Sequence, residues 1–293
     1  MPELPEVETI ARGLANRIRG DVIESVWLGS KREPLKSPAS EIVAALESSR
    51  IADVRREGKH IVFELESGVR ESAPKQRKSR PQSSKARVRA PAPASYTAQW
   101  IVHLGMTGRM LVCQADQVIE KHTHAIAKLA SGRELRFVDP RRFGRLSVAH
   151  GFEAGGFEPL EIELNRFIEL FRGRKTPIKS ALLNQKLLRG VGNIYADESL
   201  FRAGIRPRRR AVSLTREELR RLYGAVQEVL KEAIALGGSS VSDYVDADGE
   251  EGFFQLQHRV YGRESEPCLV CKTLVKRVVI AGRSSHYCPK CQK

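Results

Sequence analysis

Residues 179–207 read KSALLNQKLLRGVGNIYADESLFRAGIRP, two helix-like runs on either side of the glycine-rich turn RGVGN at 189–193. Backbone N–H groups bared at such a turn, and at the start of the helix after it, can hold a phosphate. The residues that follow, IRPRRR at 205–210, would extend this into a cationic track. A plain helical hairpin has the same apolar spacing, so the neighbouring segments decide what the turn is for.

Helical patterns surround it, near 163–172, 177–188, 194–203 and 215–236. The last is the best marked: Thr215 and Glu218 form a capping box. Leu219, Leu222, Val226, Leu230 and Ala233 make its buried stripe, and Gly237-Gly238 ends it. Upstream of AHGFEAGGFEPLE (149–161) the pattern is of strands instead: VIESVWL, HIVFELE, QWIVHLGM, HAIAKLA and ELRFVD alternate between glycines and charged turns. A helix from Pro5 to about Arg19 precedes them, with Val7, Ile10, Ala11, Leu14 and Ile18 on one face. The expectation is an α+β chain: an N-terminal, mostly antiparallel sandwich over 1–150 and a helical part over 160–258. A cysteine-bearing end follows over 259–293. Between the second and third strand runs, about 68–97 is rich in Pro, Ser, Lys and Arg and reads as a disordered basic insertion. The glycine- and acid-containing loop at 237–256 is long enough to have a functional part.

Lysine and arginine total 50 against 35 acidic residues in 293, a net charge of +15, which favours a polyanionic partner. No apolar run approaches the roughly 20 residues that cross a bilayer, and the acidic N-terminus is unlike a secretion signal. A cytosolic protein is expected. Four of the five cysteines crowd the end, Cys268, Cys271, Cys288 and Cys291, as C-x2-C, sixteen residues, C-x2-C. That spacing suits one structural zinc ion. Two disulfides would use the same residues but belong to an oxidising compartment. Cys113 is left over in a strand run and is expected to be a buried, inert thiol.

Five motifs carry a resemblance: PELPEVET (2–9), HLGMTG (103–108), DPRRFG (139–144), KTPIKSALLNQKLLRGVGNIYADESLFRAGI (175–205) and the terminal four-cysteine group. Together and in this order they resemble the bacterial formamidopyrimidine-DNA glycosylase family, from residue 2 to the last cysteine and omitting about 68–97. The resemblance implies a β-sandwich, a helix–two-turn–helix region and a β-hairpin zinc finger holding one Zn2+. It also implies a monomer that acts on damaged double-stranded DNA in the cytoplasm, associated with the nucleoid. The activity implied is that of a bifunctional glycosylase/AP lyase of base excision repair, removing oxidised purines such as 8-oxoguanine and formamidopyrimidines. An endonuclease VIII-like enzyme for oxidised pyrimidines would have glycine in place of Leu4. A catalytically silent DNA-binding relative is the remaining alternative.

Site residues are implied in the same way. Pro2, once Met1 is removed, is the nucleophile; Glu3 is the acid–base group, with Glu6 in support. Lys59 contacts the lesion or its phosphate, and Glu198 lines the pocket. Met106, Arg141 and Phe143 fill the gap left by a flipped nucleotide, with Arg141 facing the orphaned base. His122, Arg174, Lys179, Asn193 and Arg283 grip phosphates. Arg174 stands where the family is expected to have lysine, and it keeps the charge.

Overall fold

The computed structural model of the chain describes residues 1–67, 98–240 and 252–293. The expected basic insertion at about 68–97, and residues 241–251 of the loop at 237–256, lie outside the described residues. Helix α1 spans Leu4–Ile18. Pro5 is in its first turn, where a missing N–H costs nothing, and the Glu6 side chain reaches back to accept the N–H of Glu3 at 2.7 Å. Its apolar face is completely covered: Val7, Ile10, Leu14 and Ile18 are each at most 1% exposed.

After α1 come β1 (Ile23–Leu28), α2 (Ala39–Leu46), β2 (Ser49–Glu57), β3 (His60–Ser67), β4 (Ala98–His103), β5 (Arg109–Gln114), β6 (Thr123–Leu129), β7 (Arg133–Val138) and β8 (Arg145–Ala149). They build two four-stranded antiparallel sheets, in the orders β1-β6-β7-β5 and β2-β3-β4-β8. Ile61, Phe63, Trp100, Val102, Leu135 and Phe137 meet the apolar face of α1 in one cluster. The antiparallel sandwich expected from the strand runs is present. Helix α2 and strands β2 and β8 were not foreseen, and β5 was marked only by the strand run around Cys113. β2 contains SRIADVRRE, whose ion-paired arginines, Arg50, Arg55 and Arg56, disguise its alternation.

The second half has α3 (Leu164–Phe171), α4 (Ile178–Leu182), α5 (Asn193–Ala203) and α6 (Arg216–Ala235). Glu218 N–H donates to Thr215 Oγ1 at 3.2 Å and Thr215 N–H to Glu218 Oε2 at 2.8 Å, so the capping box is formed. All five residues of the expected stripe on α6 are buried in a helical cluster. The helix expected over 177–188 stops at Leu182. Asn184 turns the chain by accepting the N–H of Lys186 on its side chain at 3.0 Å, and Leu188 then pairs with Phe157. The chain closes in a hairpin of β9 (Lys276–Ile280) and β10 (Arg283–Tyr287). Leu4 lies in the helical cluster while the rest of α1 lies in the sandwich cluster. The N-terminus is therefore held at the seam between the two. Among the described residues, no helix is long and apolar enough to cross a membrane.

Candidate active site and nucleic-acid interface

The turn RGVGN receives the start of the chain. Leu4 N–H donates to the Gly190 carbonyl at 3.0 Å. Gly190 has φ of +88°, and a Cβ there would lie 2.8 Å from the Leu4 side chain. At Gly192 a Cβ would fall 2.0 Å from the Glu3 carboxyl carbon. That carboxyl instead accepts the Ile194 N–H on Oε1 at 3.3 Å, in the first turn of α5, where the helix dipole favours negative charge. The N–H at this helix start that was expected to face a phosphate is taken up by the Glu3 carboxyl.

Around it are groups with shifted acidity. Burial raises the Glu3 carboxyl above its ordinary value, against the pull of Lys59 and the Ile194 N–H. Its Oε2 is buried with no hydrogen-bond partner among the described residues. Glu6 is pushed up to about 7, first by burial and then by the charge of Glu3. It accepts from the Tyr195 hydroxyl and from Ser239 N–H, the latter at 2.8 Å. Lys59, at the β2–β3 turn, is buried and lowered by desolvation, although Glu3 and Glu6 oppose the shift. Pro2 is buried beside Glu3, while Met1 is 44% exposed. A Glu6 carboxyl held near 7, a Glu3 carboxyl shifted upward beside it and a Lys59 ammonium shifted downward are equipped for proton transfer in both directions.

A second group fastens the hairpin beside this site. Lys179 is fully buried. Its Nζ lies 2.6 Å from Asp197 Oδ1 and donates to the Ser284 carbonyl, also at 2.6 Å. Asn193 Nδ2 donates to Ser284 Oγ at 3.3 Å, and the backbone N–H of His286 donates to Asp197 Oδ2 at 2.9 Å. Strand β10 is therefore held by α4 and α5, and its first residue, Arg283, is left exposed with its charge bearing on Lys59 and Lys179. This differs from the expected phosphate grip of Lys179, because its charge is already matched by Asp197. Glu198 also differs from expectation. Its oxygens accept the N–H groups of Arg259, Val260 and Tyr261 at 2.9, 3.0 and 2.8 Å, so it holds the backbone leading into the hairpin.

The four Sγ atoms of Cys268, Cys271, Cys288 and Cys291 lie within 4.8 Å of one another. Zinc–thiolate bonds of about 2.3 Å in a tetrahedron place sulfurs roughly 3.8 Å apart. Cys268 to Cys291 is 3.9 Å and Cys271 to Cys288 is 3.4 Å, so these residues fit one metal ion. Cys113 is buried in β5, apart from them.

Two loops project exposed apolar side chains. Met106 is 43% exposed and Phe143 is 51% exposed. The Arg141 guanidinium stands 4.8 Å from the Phe143 ring centre. His122 is exposed nearby in sequence, with φ of +72°.

Residues 1–146 match the formamidopyrimidine-DNA glycosylase N-terminal domain, residues 156–245 its H2TH domain, and residues 265–293 the zinc finger found in FPG and IleRS. The chain belongs to the formamidopyrimidine-DNA glycosylase family. The formamidopyrimidine-DNA glycosylase of Solibacter usitatus is 43% identical over the whole of both chains. Among solved structures, the MutM (Fpg) protein of Thermus thermophilus is similar at 39% identity, with a TM-score of 0.80, over 99% of this chain and 98% of that one. The Lactococcus lactis Fpg in complex with abasic-site DNA is 30% identical with a TM-score of 0.83, over 99% of each.

In this family member the run IRPRRR has other work than the expected track. Arg206 Nε donates to the Gln292 carbonyl at 2.9 Å and Arg208 to the Val279 carbonyl at 3.4 Å, while Arg209 pairs with Glu218. Arg210 alone of the four stays exposed without such a tie among the described residues. Arg174 is exposed, and its Nε donates to the Leu170 carbonyl. Sequence reasoning missed Tyr195, Asp197 and Ser239, whose partners lie far away along the chain. The glycines of RGVGN were the available signal, and they pointed to close backbone approach.

Proposed function

We propose that this chain is a bifunctional DNA glycosylase/AP lyase of base excision repair that removes oxidised purines from duplex DNA. The observation that carries this reading is Pro2, buried beside a carboxyl without a hydrogen-bond partner on one oxygen and within the fields of Glu6 and Lys59. Removal of Met1 turns the Pro2 nitrogen into a secondary amine. An α-amino group has a reference pKa of about 7.7–8.0, some two to three units below lysine, so much more of it is neutral at pH 7.

The neutral amine attacks C1′ of the damaged nucleotide. The bond to the base breaks, its electron pair leaves with the base, and the base takes up a proton. Glu3 handles the proton at the sugar ring oxygen as the ring opens. The resulting iminium acidifies the hydrogens on C2′. Loss of one as a proton expels the 3′ phosphate, a further elimination expels the 5′ phosphate, and water then releases Pro2. Lys59, with its lowered proton affinity, serves the elimination steps, and Glu6 sets the charge beside Glu3.

Flipping the nucleotide out costs a few kcal/mol of stacking and pairing. Met106, Phe143 and Arg141 fill the space left behind, with Arg141 facing the orphaned base. Arg283, His122, Arg174 and Asn193 contact phosphates. Lys179 and Glu198 act one step back, by holding the finger. We assign the division 1–150, 160–258 and 259–293 to catalytic, helix–two-turn–helix and zinc-finger parts, the finger holding one structural zinc, and place this monomer in the cytoplasm at the nucleoid. The deciding experiment incubates mature protein with duplexes carrying different lesions and adds borohydride. A covalent adduct with 8-oxoguanine duplex is expected, and binding without adduct would overturn the reading.

A further inference from the structure

Asp139 opens the motif DPRRFG, and it is completely buried. Its Oδ1 accepts the Thr107 hydroxyl at 2.6 Å and the Arg141 N–H at 3.2 Å, and its Oδ2 accepts the Gly144 N–H at 2.8 Å. Among the described residues it forms no ion pair; its charge is met by these three dipoles. Thr107 adjoins Met106, and Arg141 and Gly144 bracket Phe143. A single carboxylate therefore ties together the two loops that carry the exposed side chains. The backbone of Asp139 extends the tie, since its N–H donates to the His122 carbonyl at 3.0 Å. The loops are also in direct contact: a Cβ on Gly105 would lie 2.6 Å from the Phe143 carbonyl carbon and the Gly144 nitrogen.

We propose that Asp139, acting through Thr107, is a positioning residue that fixes Met106 and Phe143 as one rigid wedge and so sets the rate of nucleotide extrusion. The inference rests on the function proposed above. A wedge unstacks bases only if it resists the load, because a loop free to bend yields to the base stack instead of parting it. Neutral hydrogen bonds to a buried carboxylate give that resistance without spending any of the exposed cations that face DNA.

The test uses the mature full-length protein. Thr107→Val keeps the side-chain volume and removes the hydroxyl donor. Its single-turnover excision from an 8-oxoguanine duplex is expected to fall about tenfold, the effect of losing one hydrogen bond to a charged group at the rate-setting step. Cleavage of a duplex with a preformed abasic site, which has no base to extrude, is expected to change less than twofold. In a Met106→Ala background the same substitution is expected to add little, because the wedge it braces is gone. Asp139→Asn serves as a second variant, with its folding checked by circular dichroism. Equal loss on both duplexes, or no loss on either, would overturn the proposal. Failure of the unaltered protein to form adduct would instead count against the proposed function.

Discussion

Gly192 lacks a side chain because Glu3 fills the space that one would need. A methyl group there would collide with the buried Glu3 carboxyl, which would have to move. Gly192→Ala is therefore expected to fold and to displace Glu3. Shifts of about 1 Å at a reacting centre cost roughly 100-fold, so borohydride trapping on abasic duplex is expected to drop by about that factor, with circular dichroism unchanged. Glu6 makes a thermodynamic counterpart. Its folded value of about 7 stands above the ordinary 4.5, so the native protein keeps this proton longer than the unfolded chain does. Its contribution is favourable at low pH and is lost as pH rises from 4.5 to about 7. The stability gap between Glu6→Gln and the unaltered protein is expected to move in favour of the variant across that window, by on the order of 3 kcal/mol. Urea midpoints at pH 4.5 and pH 8 measure it, and a gap independent of pH would contradict the assignment.

At the scale of elements, the hairpin β9–β10 has almost no core of its own: Val260, Cys268, Val275 and Cys288 are its buried cluster. Chelation is expected to melt the hairpin and release Ser284 from Lys179 and Asn193, while α6 and its neighbours keep their helical signal. New trypsin cleavage between 268 and 291, reversed by adding zinc, is the readout. The helices were the legible part of the fold. α6 declared itself by cap, stripe and glycine stop, and α1 by its spacing, because both bury one face by local rules. β2 did not, since Arg55 and Arg56 point to Glu57, Glu64, Glu8 and Glu158 and make a strand look like a charged loop. α4 ran short because Asn184 found a nearer partner than the helix would give it. The site was legible as a set of residue types. Lys179 and Glu198 were harder to place, because their partners Ser284 and Arg259–Tyr261 are about 60 to 105 residues away.

Across the whole molecule, Arg56 joins the two halves. Its guanidinium, 7% exposed, reaches Glu8 on α1 at 2.7 Å and Glu158, ahead of α3, at 2.8 Å. Arg189, on the turn that receives the N-terminus, shares Glu158 at 3.4 Å. Removing one member of a buried ionic group leaves the others uncompensated, typically at about 3–5 kcal/mol. Arg56→Met is expected to lower stability by that amount, and adding Glu158→Gln is expected to recover part of it; simple additivity of the two would argue against coupling. The seating of Leu4 and Glu3 on Gly190 and Ile194 also bears on biosynthesis. The segment that leaves the ribosome first is locked in place only after its partners, nearly 190 positions later, have been made. Under the function proposed above, a nascent chain stalled before that point would present the Pro2 nitrogen with neither Gly190 nor the start of α5 to seat the residues beside it.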